Sequence, residues 1–131
     1  MKTKILLLLL AVVAGVGVLG TGCVETVDGR SQAGVPWVKD SVEGRYEVPA
    51  ARVFDAAKQV LAFNGTVTGE NTINHSLEAK VNQTSVFVRI DDLDPNKPLT
   101  HVIVQTRTKG GGSDLDLAHE MEKQIALKLV R

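Results

Sequence analysis

The chain has 131 residues with 15 basic and 15 acidic side chains, so it is formally neutral. This length is enough for one small domain. The lack of a basic excess argues against a general nucleic-acid-binding protein, which needs a cationic face to neutralise phosphates. A single cysteine excludes a disulfide within the chain.

The first 22 residues have the pattern of a signal peptide. Lys2 and Lys4 precede the apolar run "ILLLLLAVVAGVGVL", which has only 15 residues, whereas a membrane-spanning helix needs ~20. Small residues then lead to Cys23. A charged start, a short apolar core and a small-residue exit predict a secretory signal over residues 1–22. Its removal would leave the mature chain with a net charge of about −2.

The end of this signal resembles a bacterial lipobox, in which a cysteine is acylated and becomes the first residue of the mature protein. Two small residues precede Cys23, and Leu19 lies one position earlier than the usual lipobox leucine. The resemblance implies lipidation of Cys23, and Val24 in place of an aspartate favours the outer membrane by analogy with Gram-negative sorting. Ordinary cleavage near Gly20–Gly22 and an uncleaved anchor remain alternatives.

A spacer and one domain are expected after the cysteine. Residues 23–35 are polar, contain two glycines and have no sustained apolar period, which is typical of a flexible tether. Regular patterns begin near Pro36. We therefore expect a lipidated cysteine and tether over 23–35 and a single folded domain over 36–131.

The first part of the domain has the apolar pattern of a strand, followed by that of a helix. "VEGRYEV" (42–48) alternates as a half-buried strand does, and Pro49 ends it. "AARVFDAAKQVLAFNG" (50–65) has the spacing of an amphipathic helix, for which Asn64-Gly65 predicts a left-handed end.

Strands dominate the next segment. "TVT" (66–68) is a short candidate strand before a turn at 69–71, and "INHSLEAKV" (73–81) predicts a full strand with Ile73 and His75 on its apolar face. "VFVRI" (86–90) and "LTHVIVQTRT" (99–108) predict two more strands.

A second helix is predicted to close the domain. Ser113 is the expected N-cap, and an apolar stripe then runs to the C-terminus. The fold class is thus α+β, an antiparallel sheet of 4–5 strands with two helices packed on one face, in the order β-α-(β)-β-β-β-α.

The segment 42–65 resembles a family of small bacterial lipoproteins known only as a domain of unknown function. In that family a "G-x-aromatic" strand leads through a proline into a helix with a valine–aromatic pair, paired alanines and a late leucine before glycine. The matching positions are Gly44, Tyr46, Pro49, Val53, Phe54, Ala56, Ala57, Leu61 and Gly65. The resemblance extends over roughly residues 36–130 and implies a lipid-anchored α+β domain, but supplies no catalytic residue.

Three patterns could carry chemistry, and each has a simpler structural interpretation. Asp92, Asp94 and Asn96 have calcium-loop spacing, but Lys97 stands where a glycine is expected, which favours a solvated turn. "KGGGSD" (109–114) opens a helix that could hold phosphate, but it lacks the phosphate-loop lysine motif, which favours a loop with an N-cap.

The third pattern is the set of three histidines, His75, His101 and His119. Two of them lie on predicted strands and could meet as zinc ligands if those strands pair, although zinc catalysis needs a third ligand. Sheet-packing and surface positions explain the histidines more simply. No metal site and no cofactor are predicted.

Two aromatic residues are the candidate partner contacts. Trp37 lies where tether and domain join, and Phe87 points opposite Val86 and Val88 on its strand. The structural alternatives are that Trp37 caps the core and that Phe87 packs under a helix.

The sequence favours a periplasm-facing, lipid-anchored envelope protein, without enzymatic activity, that acts as a binding or structural module. Its expected partners are the membrane, through the lipid, and an envelope protein. The alternative is a small periplasmic hydrolase or metal-dependent enzyme, which a pocket holding His75 and His101 together would favour.

Overall fold

The computed structural model describes residues 22–25, 31–34 and 40–130. Almost all of the predicted signal peptide lies outside these residues, as does Trp37. Gly22–Glu25 (β1) and Ser31–Gly34 (β2) form a two-stranded antiparallel sheet with Cys23 opposite Ala33. The predicted tether therefore contains local β-structure. No helix within the described ranges combines the length and the apolarity needed to cross a membrane.

Five further strands and two helices form the domain. They are β3 (Ser41–Tyr46), α1 (Ala50–Asn64), β4 (Thr66–Asn71), β5 (Ser76–Val81), β6 (Thr84–Asp92), β7 (Thr100–Arg107) and α2 (Leu115–Leu129). The five strands form one antiparallel sheet in the order β3-β7-β6-β5-β4. The α+β prediction is confirmed, and β4 is a full member of the sheet.

Both helices pack on the same face of the sheet. Val42, Val104, Val88 and Leu77 lie opposite one another across four neighbouring strands, and all are buried. They contact the apolar faces of α1 and α2 in a single core. Because successive side chains of a strand point to opposite faces of the sheet, these four cross-strand neighbours form one continuous apolar row towards the helices.

The turn between β4 and β5 differs from the predicted strand over 73–81. The Asn71 side-chain oxygen accepts hydrogen bonds from the backbone amides of Ile73 (3.0 Å) and Asn74 (3.2 Å). His75 has a φ of 51°, and Ile73 is 93% exposed. The strand begins only at Ser76, because this asparagine-centred turn takes up the residues before it.

The ends of both helices also differ from expectation. Gly65 has a φ of −169°, so α1 does not end in a left-handed residue. The N-cap of α2 is Asp114 rather than Ser113, and its side chain accepts a hydrogen bond from the Leu117 amide at 3.0 Å. Thr106 fixes this position, since its hydroxyl bonds to both the amide and the carbonyl of Asp114, each at 2.9 Å.

Candidate partner-binding groove

An apolar groove lies between the two helices on the side away from the sheet. Its volume is about 420 Å³, and we call it the interhelix groove. Phe63 of α1 and Leu127 of α2 are 87% and 50% exposed. The groove is lined by Gln59, Val60, Phe63, Gln124, Leu127 and Lys128. Scattered exposed apolar side chains are ordinary, but two that line one concave surface form a candidate contact patch.

The Asn64 and Gln124 side chains form a hydrogen bond between the two helices beside the groove. The Asn64 side-chain amide donates to the Val60 carbonyl at 2.8 Å and to Gln124 Oε1 at 2.7 Å. Gln124 in turn donates to Glu120 Oε1 at 2.9 Å. The groove is thus preformed, which reduces the entropic cost of binding.

The polar edge of the groove carries positive charge. Lys128 lines it and is exposed, and no described carboxylate forms an ion pair with its ammonium group. Arg52 lies at the same junction, where its guanidinium donates to the Leu129 carbonyl at 3.2 Å. Glu120, one helical turn before Gln124, already accepts a hydrogen bond from the Gln124 side chain. The groove therefore suits a partner with apolar and acidic side chains.

The two aromatic residues proposed as partner contacts do not form this surface. Trp37 lies outside the described residues. Phe87 does point away from Val86 and Val88, but its side chain is fully buried. It lies on the face opposite the helices, directly between Glu78 and Gln105 of the neighbouring strands. Phe87 is therefore neither an exposed partner contact nor packed under a helix.

A buried ion pair lies on the same face of the sheet as Phe87. Arg107 is 4% exposed, and its Nη1 contacts the Asp40 carboxylate. Asp40 also accepts a hydrogen bond from Gln105 Nε2 at 2.7 Å. The Arg107 Nε is buried with no hydrogen-bond partner among the described residues. Sequence periodicity could not find this pair, since charged residues at strand ends usually point to solvent.

The structure separates the three histidines. His75 contacts the Phe54 ring, with a centroid distance of 5.6 Å, on the helix side of the sheet. His101 contacts Glu43 at 3.1 Å on the opposite face, and His119 lies on α2. Within residues 40–130 and the two short strands, no group of three histidine, cysteine, aspartate or glutamate side chains could hold a metal ion.

The two loop motifs are used for local structure. The Asn96 amide donates to Asp94 Oδ1 at 2.8 Å, as in an ordinary asparagine- or aspartate-centred turn. In the glycine loop, the amides of Gly111 and Gly112 bond to the Thr108 carbonyl (2.9 Å) and hydroxyl (3.1 Å). These amides are therefore already occupied by protein acceptors.

A tyrosine–carboxylate contact joins β3 to α2. The Tyr46 hydroxyl donates a hydrogen bond to Glu122. Burial raises the pKa of the Tyr46 phenol above its ordinary value, and the hydrogen bond to Glu122 and its negative charge raise it further. The phenol therefore stays protonated at neutral pH, so this contact acts as a structural donor–acceptor pair.

Phe63 and Leu127 were not singled out from the sequence, although a signal existed. Phe63 falls outside the apolar face of the predicted helix 50–65, which indicates a large side chain directed to solvent. The sequence could not show that Leu127 would lie beside it.

No protein-family model matches the chain, and no curated protein is significantly similar to it.

Proposed function

We propose that this protein is a lipid-anchored protein of the bacterial cell envelope that acts as a non-catalytic binding module. The interhelix groove would bind an apolar segment of another envelope protein that carries acidic side chains. One observation carries this proposal: Phe63 is 87% exposed at the groove, beside the half-exposed Leu127. Solvent exposure of a phenylalanine is unfavourable by ~1.5–3 kcal/mol relative to burial, so the position suits a side chain that a partner covers.

The charge at the groove edge supports a protein segment with acidic residues. Lys128 would lie next to a carboxylate of the partner, while Phe63 and Leu127 would contact its apolar side chains. This combination of an apolar centre and a charged edge is typical of grooves that bind amphipathic segments.

The groove can be tested by site-specific photo-crosslinking in cells that express the full-length protein. A photoreactive residue at Gln59 should form an adduct, and Phe63→Ser should reduce its yield about tenfold or more. Support also requires that the crosslinked segment of the partner contain apolar and acidic residues.

Ile73 provides a matched control for this experiment. It is 93% exposed but lies in the turn between β4 and β5, and Ile73→Ser should leave the adduct unchanged. An adduct that survives Phe63→Ser, or that responds equally to both substitutions, would contradict the proposed site.

Lipid attachment at Cys23 is tested separately. The mature protein extracted from membranes should begin at Cys23 and have an intact mass that includes a diacylglyceryl group and an acyl chain. Cys23→Ala should abolish this added mass and the new N-terminus at residue 23, because no lipid could then be attached. An unmodified wild-type chain that begins at another residue would refute lipidation.

A further inference from the structure

The two edge strands of the sheet differ in how well they could pair with another strand. β4 has an irregular register between Val67 and Gly69, and its Glu70 forms an ion pair with Lys58 of α1 at 2.8 Å. β3, at the other edge, pairs with β7 in unbroken register over all of its residues. A bulge protects an edge from pairing, so β3, whose register is regular, is the better template for an added strand.

The direction of the backbone groups shows which residues of β3 could pair. The Thr106 amide donates to the Asp40 carbonyl at 3.0 Å, so the polar backbone groups of Asp40 point to β7. These groups alternate in direction along a strand. Those of Ser41, Glu43 and Arg45 therefore point to the open side of the sheet.

The sequence of β3 is complementary to itself about Gly44. In an antiparallel pairing of two copies with the two-fold axis at Gly44, each Glu43 faces Arg45 of the second copy, and each Val42 faces Tyr46 of the second copy. Glu43 and Arg45 have outward backbone groups, so they form a hydrogen-bonded pair in this register. Opposite charges face each other twice per dimer, which stabilises this register.

Among the described residues, the surroundings of β3 fit such pairing. Glu43 and Arg45 are exposed, and Glu43 is held on the face opposite the helices by its contact with His101. A cavity of about 360 Å³ beside the strand is lined by Ser41, Val42, Glu43 and His119.

We propose that β3 is a homodimer interface, through which two copies pair antiparallel about Gly44 and their sheets become continuous. The inference does not depend on the interhelix groove, which lies on the outer side of the helix layer. We favour a second copy of the chain over a foreign strand because Glu43 and Arg45 of β3 face residues of opposite charge when β3 pairs antiparallel with itself.

Charge reversal at the two facing positions tests the dimer. The full-length protein, studied by sedimentation equilibrium in density-matched detergent, should be dimeric. Glu43→Arg and Arg45→Glu should each raise the dissociation constant about tenfold, because each places like charges opposite each other. The double variant should restore the affinity of the wild type.

Arg89→Glu is the control, since Arg89 is an exposed residue on the same face but lies in the central strand β6. It should leave the dissociation constant unchanged. A wild-type monomer, a dimer that neither single reversal weakens, or a double variant that stays as weak as the singles would each overturn the proposal. Circular dichroism of the wild type and the four variants distinguishes a lost interface from a lost fold.

Discussion

Asp40→Ala should lower the free energy of unfolding by about 3–5 kcal/mol, because it leaves a buried guanidinium without its counter-charge. Arg107 is 4% exposed, and the Asp40 carboxylate contacts its Nη1. The same substitution removes the acceptor of the 2.7 Å hydrogen bond from Gln105. Urea denaturation of the wild type and the variant measures the difference.

A second ion pair on the same face provides the control for this prediction. Arg89 and Asp91 contact each other at 3.0 Å, but their side chains are 50% and 34% exposed. Asp91→Ala should therefore lower the free energy of unfolding by no more than about 1 kcal/mol. Adding Arg107→Met to the Asp40→Ala variant should recover part of the lost stability, since an apolar chain then replaces the unpaired charge. If Asp40→Ala and Asp91→Ala lower the free energy of unfolding equally, the Asp40–Arg107 ion pair is not buried in solution.

Gly65→Ala should lower the free energy of unfolding by about 3 kcal/mol, at the upper end of the usual cost of overpacking. A Cβ atom at this position would lie 2.1 Å from the Lys80 carbonyl oxygen of β5. Because that contact is with backbone, relief requires α1 or β5 to move. The expected result is a lower thermal midpoint and a lower denaturant midpoint.

Gly110→Ala is the matched control for the glycine substitution. Among the described residues, no atom outside the two chain neighbours lies within 4 Å of a Cβ built at Gly110, and the residue is exposed. The free energy of unfolding of this variant should differ from that of the wild type by no more than about 0.5 kcal/mol. If Gly65→Ala is equally harmless, the close approach of α1 to β5 is not present in solution.

The sequence was informative where apolar residues repeat regularly. Helix α1 occupies Ala50–Asn64, close to the predicted 50–65, because its apolar period is unbroken. The stripe of α2 is confirmed too, with Ala118, Met121, Ile125 and Leu129 buried. These features predicted the α+β fold, since each helix needs an apolar sheet face to cover.

Local turn chemistry explains several of the wrong predictions. Ile73 continues an alternating pattern and was assigned to a strand, but the Asn71 side chain forms a turn that excludes it from the sheet. Gly65 was expected to be left-handed, whereas the structure requires glycine for its lack of a side chain beside Lys80. Such close approaches depend on a distant strand, which periodicity does not describe.

The candidate site was the least predictable feature. From the sequence, Phe87 is a candidate partner contact, with packing under a helix as the structural alternative, but its side chain is fully buried on the face opposite the helices. Phe63 and Leu127 form the groove only because α1 and α2 pack side by side. The sequence alone does not show which faces of two distant helices lie side by side, so this surface becomes visible only in the three-dimensional structure.

The position of β3 has a consequence for the order in which the domain can fold. In the five-stranded sheet, the first strand along the chain pairs only with the last, so that Val42 lies opposite Val104. Closing a loop of this length has an entropic cost that neighbouring hairpins avoid. A chain that emerges from its N-terminus, from a ribosome or through a membrane, would keep β3 unpaired until β7 has followed. The domain is thus built to complete its sheet only after nearly all of it has emerged.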